Sequence, residues 1–451
     1  MFKKLTRGCV KLVQNYLPDP FLFAVILTLV VFVVGMGVTA QGPMAMINHW
    51  AGGFWSLLQF SMQMALVLVT GHTLASTPII KKALNALAKP CKTPLQAIVA
   101  VTFVSTIACW INWGFGLVVG ALYARQLAKE VKGVDYRLLI ASAYSGFIVW
   151  HAGISGSIPL QLATAGPGLE VATKGAVIDP ISTSLTIFSP FNLIIVAVIL
   201  VTLPFVNRAM HPSPEDVVAI DPKLLEADDV QPEVIQHGGT FADKMENSMI
   251  LSMLIGAMGI VYIVYYFVTN GFELNLNIVN FLFLFLGIVL HKTPRKFLDA
   301  ISAAAKGASG IILQFPFYAG IMGMMTGGNL ETGVSLAGAI SQGFVTISTP
   351  TTYPLFTFLS AGVVNFFVPS GGGQWAVQAP IMMPAGAELG VSAAKTGMAI
   401  AWGDAWTNMI QPFWALPALG IANLGARDIM GFCIVDLLYA GVIIALGLMF
   451  L

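Results

Sequence analysis

The chain alternates long apolar runs with short polar or basic segments. Many of the runs approach the roughly 20 residues that a helix needs to cross the hydrocarbon core of a bilayer. This pattern predicts an all-α polytopic membrane protein with about nine transmembrane helices. The predicted spans lie at about 21–40, 54–75, 138–163, 185–206, 248–269, 278–290, 307–326, 396–420 and 429–450.

Two more apolar stretches, 94–128 and 353–388, are interrupted at their centres by Asn112–Gly116 and Val368–Gly373. Pro369 removes a backbone donor, and consecutive glycines favour departure from helical geometry. In hydrocarbon such a break survives only where protein or a water-filled cavity surrounds it. We therefore predict two re-entrant hairpins. The spans at 138–163 and 396–420 are also predicted to be broken, whereas residues 41–53 are predicted to form a Gly-rich turn.

Composition supports a membrane class and excludes several others. The chain is 57% hydrophobic and 10% charged, against about 25% charged in soluble domains. Its mean hydropathy is +0.82. The net charge of +1 offers no field to recruit nucleic acid. The four cysteines have no metal-binding spacing, and no cofactor, metal or disulfide is expected.

Basic residues orient the predicted spans. With the N-terminus inside, 20 of the 22 Lys and Arg residues fall in cytoplasmic segments, as the positive-inside rule requires. The first run lacks a small-residue cleavage site and is expected to stay as a span. The Pro-rich, acidic segment 207–247 is predicted to be a cytoplasmic linker.

The order of these features repeats. Trp150 corresponds to Trp402 at an offset of 252 residues, and the two hairpin tips fall opposite each other. We predict a first repeat at 1–206 and a second at 270–451, with the second inverted by the connecting span at 248–269. Inverted repeats whose broken helices meet near the midplane are typical of secondary transporters.

The predicted spans contain no Lys or Arg, so a bound anion would depend on helix N-termini and on neutral donors. That suits one carboxylate on a small, partly apolar solute, whereas a dianion would usually need a guanidinium group. The candidate substrate-binding residues are Asn112, Trp113, Gly114, Ser155, Ser157, Ser370, Gly371, Gly372, Gln374, Thr407 and Asn408. The alternative interpretation is that these residues only cap the ends of the broken helices and do not bind a substrate.

Ionisable groups inside a membrane are costly, so function is their default interpretation. Asp404 lies in a helix break, where it could bind Na⁺ or a proton. His151 lies beside the corresponding break and could carry a proton. We take these two as the candidates for ion coupling and rank His72 and Asp436 below them.

Four motifs carry a resemblance to a known family. The motifs are Asn112–Gly120, Gln314–Gly320, Val368–Gly373 and Gln411–Pro417. Over nearly its whole length the chain resembles the bacterial short-chain fatty acid transporter family, which includes the acetoacetate and butyrate uptake protein. It is also similar to the wider ion-transporter superfamily, whose symporters have two re-entrant hairpins and an elevator-like mechanism.

The resemblance implies uptake of short monocarboxylates across the bacterial inner membrane, coupled to H⁺ or Na⁺. The expected partners are the substrate, the lipid bilayer and a second copy in a homodimer. The superfamily's Ser-Asn-Thr tips are replaced here by Asn112–Gly114 and Ser370–Gly372. The alternatives are a carrier for another organic anion, such as a dicarboxylate or an aminobenzoyl-glutamate-like solute, or a cation antiporter. A membrane enzyme and a channel are the less favoured classes.

Overall fold

A computed structural model describes residues 6–11, 15, 20–56, 58–164, 167–220, 239–271, 276–369 and 371–451. Within these ranges all regular structure is helical and no strand occurs. The predicted all-α class is therefore confirmed for this part of the chain. Ser370 lies outside the described residues.

The helices of the first half follow the apolar runs. They are α1 (Pro20–Thr39), α2 (Pro43–Gly53), α3 (Leu58–Ala75), α4 (Pro78–Ala88), α5 (Pro94–Ile111), α6 (Trp113–Glu130), α7 (Tyr136–Ser145), a 3₁₀ segment (Gly146–Ala152), α8 (Ser157–Leu162), α9 (Pro167–Ala172) and α10 (Pro190–Ala209). The predicted turn at 41–53 is wrong, since Pro43 begins a helix there. Proline suits the first helical turn because its missing N–H has no intrahelical partner there.

The second half has a similar order. It contains α11 (Phe241–Glu246), α12 (Met249–Asn270), α13 (Leu276–His291), α14 (Pro294–Ala305), α15 (Ser309–Thr326), α16 (Leu336–Thr346), α17 (Tyr353–Phe367), α18 (Gly371–Glu388), α19 (Ala393–Thr407), a 3₁₀ turn (Pro412–Ala415), α20 (Leu416–Ala422) and α21 (Ala426–Phe450). Thus α1 to α8 have counterparts of the same order and similar kind in α13 to α20.

Among the described residues, five helical segments are long and apolar enough to cross a membrane, or six if the bent pair 61–75 and 78–88 forms one span. The five are 94–111, 136–162, 190–209, 249–270 and 426–450. This count rests on length and composition alone. Shorter apolar helices lie at 24–39, 280–291, 353–367 and 412–422.

Both predicted interruptions are present in the first half, although the first is shorter than the predicted Asn112–Gly116, because Trp113 already begins α6. Asn112 has an extended backbone (φ −152°, ψ 118°) between α5 and α6. These two helices run antiparallel, since a Cβ on Gly116 would clash with Cys109 and one on Gly120 would lie 3.0 Å from Ser105 Cβ. The segment 136–162 changes to 3₁₀ geometry at Gly146 and breaks at 153–156.

The second half is interrupted at the corresponding places. Helix α17 ends at Phe367 and α18 begins at Gly371, so the three glycines predicted to leave helical geometry form the first turn of α18 instead. These helices are also antiparallel, because Gln374 Nε2 donates to Ala361 O (2.7 Å) and Tyr353 Oη donates to Met382 O (2.5 Å). Helix α19 ends at Thr407, before the 3₁₀ turn and α20.

The two halves pack reciprocally. Helix α15 contacts α1 and α2, while α3 contacts the matching α13 and α14. Helix α6 contacts α20, and α18 contacts α8. The broken segments, 3₁₀ 146–152 and α19, contact each other in the buried core. The four cysteines are free thiols.

Candidate substrate and ion site at the helix breaks

A fully buried His–Asp pair joins the two broken segments. His151 Nδ1 lies 2.6 Å from Asp404 Oδ2, and both side chains are 0% exposed. His151 belongs to the 3₁₀ segment of the first half and Asp404 to α19 of the second. The two candidates for ion coupling are therefore brought into direct contact.

A backbone contact assigns the proton on the histidine ring. The Ile158 N–H donates to His151 Nε2 (3.0 Å), so Nε2 must be unprotonated. A neutral imidazole then carries its proton on Nδ1, which donates to Asp404 Oδ2. The pair thus contains a neutral histidine and an aspartate whose second oxygen, Oδ1, has no hydrogen-bond partner among the described residues.

Polar side chains surround the end of α19. Asn365 Nδ2 donates to Asp404 O (2.9 Å) and to Thr407 Oγ1 (2.9 Å). Thr407 Oγ1 donates to Gly362 O (2.9 Å). Asn408 Nδ2 also donates to Asp404 O, and all of these residues are buried. Thr407 and Asn408, both candidates from the sequence, therefore lie beside Asp404.

The second break lies against the pair. A Cβ built on Gly371 would be 2.8 Å from His151 Cε1 and 3.0 Å from Ser157 Cβ and Oγ. A real Cβ would force one of these groups to move, so glycine is needed for this close approach. The start of α18, His151 and Ser157 form one contiguous surface.

The first break, at Asn112, contacts the loop 153–156 that follows His151. Asn112 Oδ1 accepts from Phe115 N (2.9 Å) and caps α6. Trp113 N donates to Ser155 Oγ (3.0 Å), and Ile154 N donates to Trp110 O (2.8 Å). A Cβ on Gly71 would lie 3.6 Å from Gly114, so α3 packs against this break. Helix capping therefore uses part of the polar capacity of Asn112 and Ser155.

Aromatic rings line the interior next to the pair. Trp150 stacks on His151 with centroids 4.1 Å apart and on Phe147 at 5.4 Å. Trp113 contacts Trp150 at 5.9 Å and Trp414 at 5.1 Å in edge-to-face geometry. The stacking on Trp150 restricts the orientation of the His151 ring.

Some candidates lie elsewhere or have different contacts. Gln374 is buried and bonds to Ala361 O and to Gln378 Oε1 (2.8 Å), so its amide ties α18 to α17. Gly372 is half-buried in the first turn of α18. Asp436 is buried in α21, and its oxygens have no hydrogen-bond partner among the described residues. Within the described ranges, no three His, Cys, Asp or Glu side chains are grouped to hold a metal ion.

Three residues at the site were missed by the sequence reasoning. Asn365 binds the end of α19, and its only sequence signal is a lone amide in an apolar helix just before a break. Tyr144 Oη donates to Asn408 O (2.6 Å), and Asn192 Oδ1 accepts from Trp402 Nε1 (3.0 Å). Both connect the first half to α19 or to the turn that follows it.

Known proteins resemble this chain over its whole length. The sequence profile of the family described as "Short chain fatty acid transporter" matches residues 1–451. A "Putative short-chain fatty acid transporter" of Escherichia coli (strain K12) is 48% identical over 99% of both chains. A protein of the same description from Haemophilus influenzae is 46% identical over 100% of both chains.

Among solved structures, the Alcanivorax borkumensis YdaH transporter is similar with 15% identity and a TM-score of 0.48. The match covers 96% of this chain and 97% of that one. The family match places the chain among transporters rather than enzymes and indicates a multi-pass membrane protein. The chain belongs to the short-chain fatty acid transporter family.

Proposed function

We propose that this protein takes up short-chain monocarboxylates, such as butyrate or acetoacetate, across the bacterial inner membrane by symport with H⁺ or Na⁺. The observation that carries the proposal is the buried contact between His151 and Asp404, at which broken segments from both halves of the chain meet. Apolar helices that stop at such a point expose backbone amides and carbonyls suited to an anion and a cation.

The substrate binds beside the start of α18. Gly371 packs closely against His151 and Ser157, which brings the start of α18 to the pair. The N-terminus of α18 directs backbone N–H groups and a partial positive charge at a carboxylate. Asn112, Trp113, Gly114 and Ser155 complete the site from the first break. Ser370, Gly372, Gln374, Thr407 and Asn408 complete it from the second.

The proposed site suits a monoanion. Residues that contact one another at the breaks are neutral except for Asp404, so a second substrate charge would have no fixed partner there. Trp113 and Trp150, which meet in edge-to-face geometry, give an apolar surface for a short aliphatic chain.

We propose that the chain forms an inverted repeat, with halves at 1–206 and 270–451 joined by a cytoplasmic linker (207–247) and the connecting span 248–269. The matching order of α1–α8 and α13–α20 and their reciprocal packing support it. Nine spans, two re-entrant hairpins and a cytoplasmic N-terminus follow from this arrangement. The broken segments and hairpins move as one elevator unit, and the remaining helices form a scaffold that supports a homodimer in the bilayer.

The test is uptake of radiolabelled butyrate into proteoliposomes with Na⁺ and pH gradients imposed separately. We expect saturable uptake driven by one gradient, with competition by acetoacetate but not by succinate. Asn112→Ala and Ser157→Ala should lower uptake strongly, whereas Asn270→Ala, at the exposed end of α12, should not. Parent-like uptake by both site variants would contradict the site, and ion flux without any organic acid would indicate an antiporter.

A further inference from the structure

Around Asp404, the oxygen atoms that can accept a hydrogen bond outnumber the groups that donate one. The side-chain Oδ1 atoms of Asp404, Asn365 and Asn408 have no hydrogen-bond partner among the described residues. All three residues are 0% exposed. Buried polar atoms are almost always paired, so three such oxygens in one place require an explanation.

The three residues meet around the main-chain carbonyl of Asp404. Both amide nitrogens, of Asn365 and of Asn408, donate to the same carbonyl, Asp404 O. Since each amide oxygen shares a carbon with its nitrogen, both oxygens lie within about 5 Å of that carbonyl. Asn408 follows Asp404 by one helical turn, so their side chains lie on the same face of the helix.

We propose that the Oδ1 atoms of Asp404, Asn365 and Asn408 are ligands of a Na⁺ ion. This inference rests on the proposed function, because it makes Na⁺ the ion that is co-transported with the substrate. A proton on Asp404 would satisfy one of these oxygens and leave two amide oxygens without a donor. A hard cation that prefers carboxylate and carbonyl oxygens satisfies all three.

The local charge selects a monovalent ion. His151 is neutral when its Nε2 accepts from Ile158 N–H, so Asp404 contributes the only formal charge in the cluster. One Na⁺ balances that charge, whereas a divalent ion would leave an excess positive charge in a buried site. His151 holds Oδ2 of Asp404, which leaves Oδ1 available to the cation.

The position of the site also implies an order of binding. Asn365 lies at the end of α17 and Gly371 begins α18, so the cation ligands flank the same break as the proposed carboxylate site. A bound Na⁺ offsets the negative charge of Asp404 before the anionic substrate approaches Gly371. Substrate affinity should therefore rise with Na⁺ concentration.

The test is thermal stability of the purified parent protein without substrate, in NaCl, KCl or choline chloride at equal ionic strength. We expect saturable stabilisation by Na⁺ alone. Asn365→Leu, Asn408→Leu and Asp404→Asn should each raise the half-saturating Na⁺ concentration roughly tenfold or more. Asn408→Asp keeps an oxygen ligand at this position, so it should still be stabilised by Na⁺. That result would show that the loss of Na⁺ stabilisation in Asn408→Leu is not caused by misfolding.

Asn207→Ala is the matched control. Asn207 is also buried, and its Oδ1 has no hydrogen-bond partner in the part of the chain that the structure describes, but its Nδ2 donates to Thr102 Oγ1 and Ser145 Oγ. Its half-saturating Na⁺ concentration should equal that of the parent. Equal stability of the parent in NaCl and choline chloride would overturn the site. Na⁺ stabilisation lost in the three variants, without uptake of any short-chain acid, would support the cation site and refute the proposed substrate.

Discussion

The contact between His151 and Asp404 should be visible as a large coupling energy. Their 2.6 Å contact is fully buried, so removal of one partner leaves the other polar group without compensation. Loss of one member of a buried pair typically destabilises a protein by about 3–5 kcal/mol. His151→Ala, which leaves the Asp404 carboxylate without its donor, should cost that much. Asp404→Ala, which leaves only a neutral imidazole N–H without a partner, should cost about 1–3 kcal/mol. The double variant should cost less than the sum by about 1–3 kcal/mol, because both members of the pair are then absent.

The assay is reversible unfolding by SDS in mixed micelles, followed by the fluorescence of the nine tryptophans. The pair of Arg7 and Asp216 is a suitable control, because it has a short contact (2.9 Å) but side chains that are 71% and 46% exposed. Its double-variant cycle should give about 0–1 kcal/mol, as for surface ion pairs. Additive effects of His151→Ala and Asp404→Ala, within about 0.5 kcal/mol, would refute the reasoning.

Further predictions concern close contacts and hydrogen bonds around the site. Gly371→Ala should abolish butyrate uptake in proteoliposomes, since its Cβ would lie 2.8 Å from His151 Cε1, whereas Gly52→Ala, with nothing within 4 Å, should preserve uptake. Normal uptake by Gly371→Ala would show that the close approach is not required. Tyr144→Phe should lower the unfolding free energy by about 1–3 kcal/mol, because Asn408 O loses its donor. The same SDS titration measures it, and an unchanged midpoint would contradict the contact.

The helix breaks were predictable from the sequence because their causes are local. Pro369 lacks the N–H that a helix needs, and Asn112 is a preferred N-cap residue. The helix ends in the structure fall within a few residues of the predicted spans for the same reason. The glycines predicted to belong to the breaks instead lie inside α6 and α18, because glycine permits a break but does not enforce one. The helix at 43–53 was not predicted because Gly42, Gly52 and Gly53 are typical of turns, although Pro43 is a helix-start signal.

The contacts of the site could not be predicted in the same way. His151 and Asp404 are 253 residues apart in the chain, and no local pattern specifies such a pairing. Asn365 lies in an otherwise apolar helix, where a single amide does not indicate whether it ties two helices together or contacts a ligand. Its bonds to α19 become apparent only when the helices are assembled.

The proposed repeat gives a reason for the composition of the pair. The 253-residue separation is close to the 252-residue offset that aligns Trp150 with Trp402, so under the proposed repeat His151 and Asp404 would occupy nearly equivalent positions in the two halves. Equivalent positions near a pseudo-two-fold axis face each other. Two aspartates there would repel, whereas a neutral histidine can donate to an aspartate and fix one of its oxygens. Under the proposed repeat, a histidine facing an aspartate would therefore leave a single negative charge at this contact, as the proposed symport of one cation with one monoanion would use.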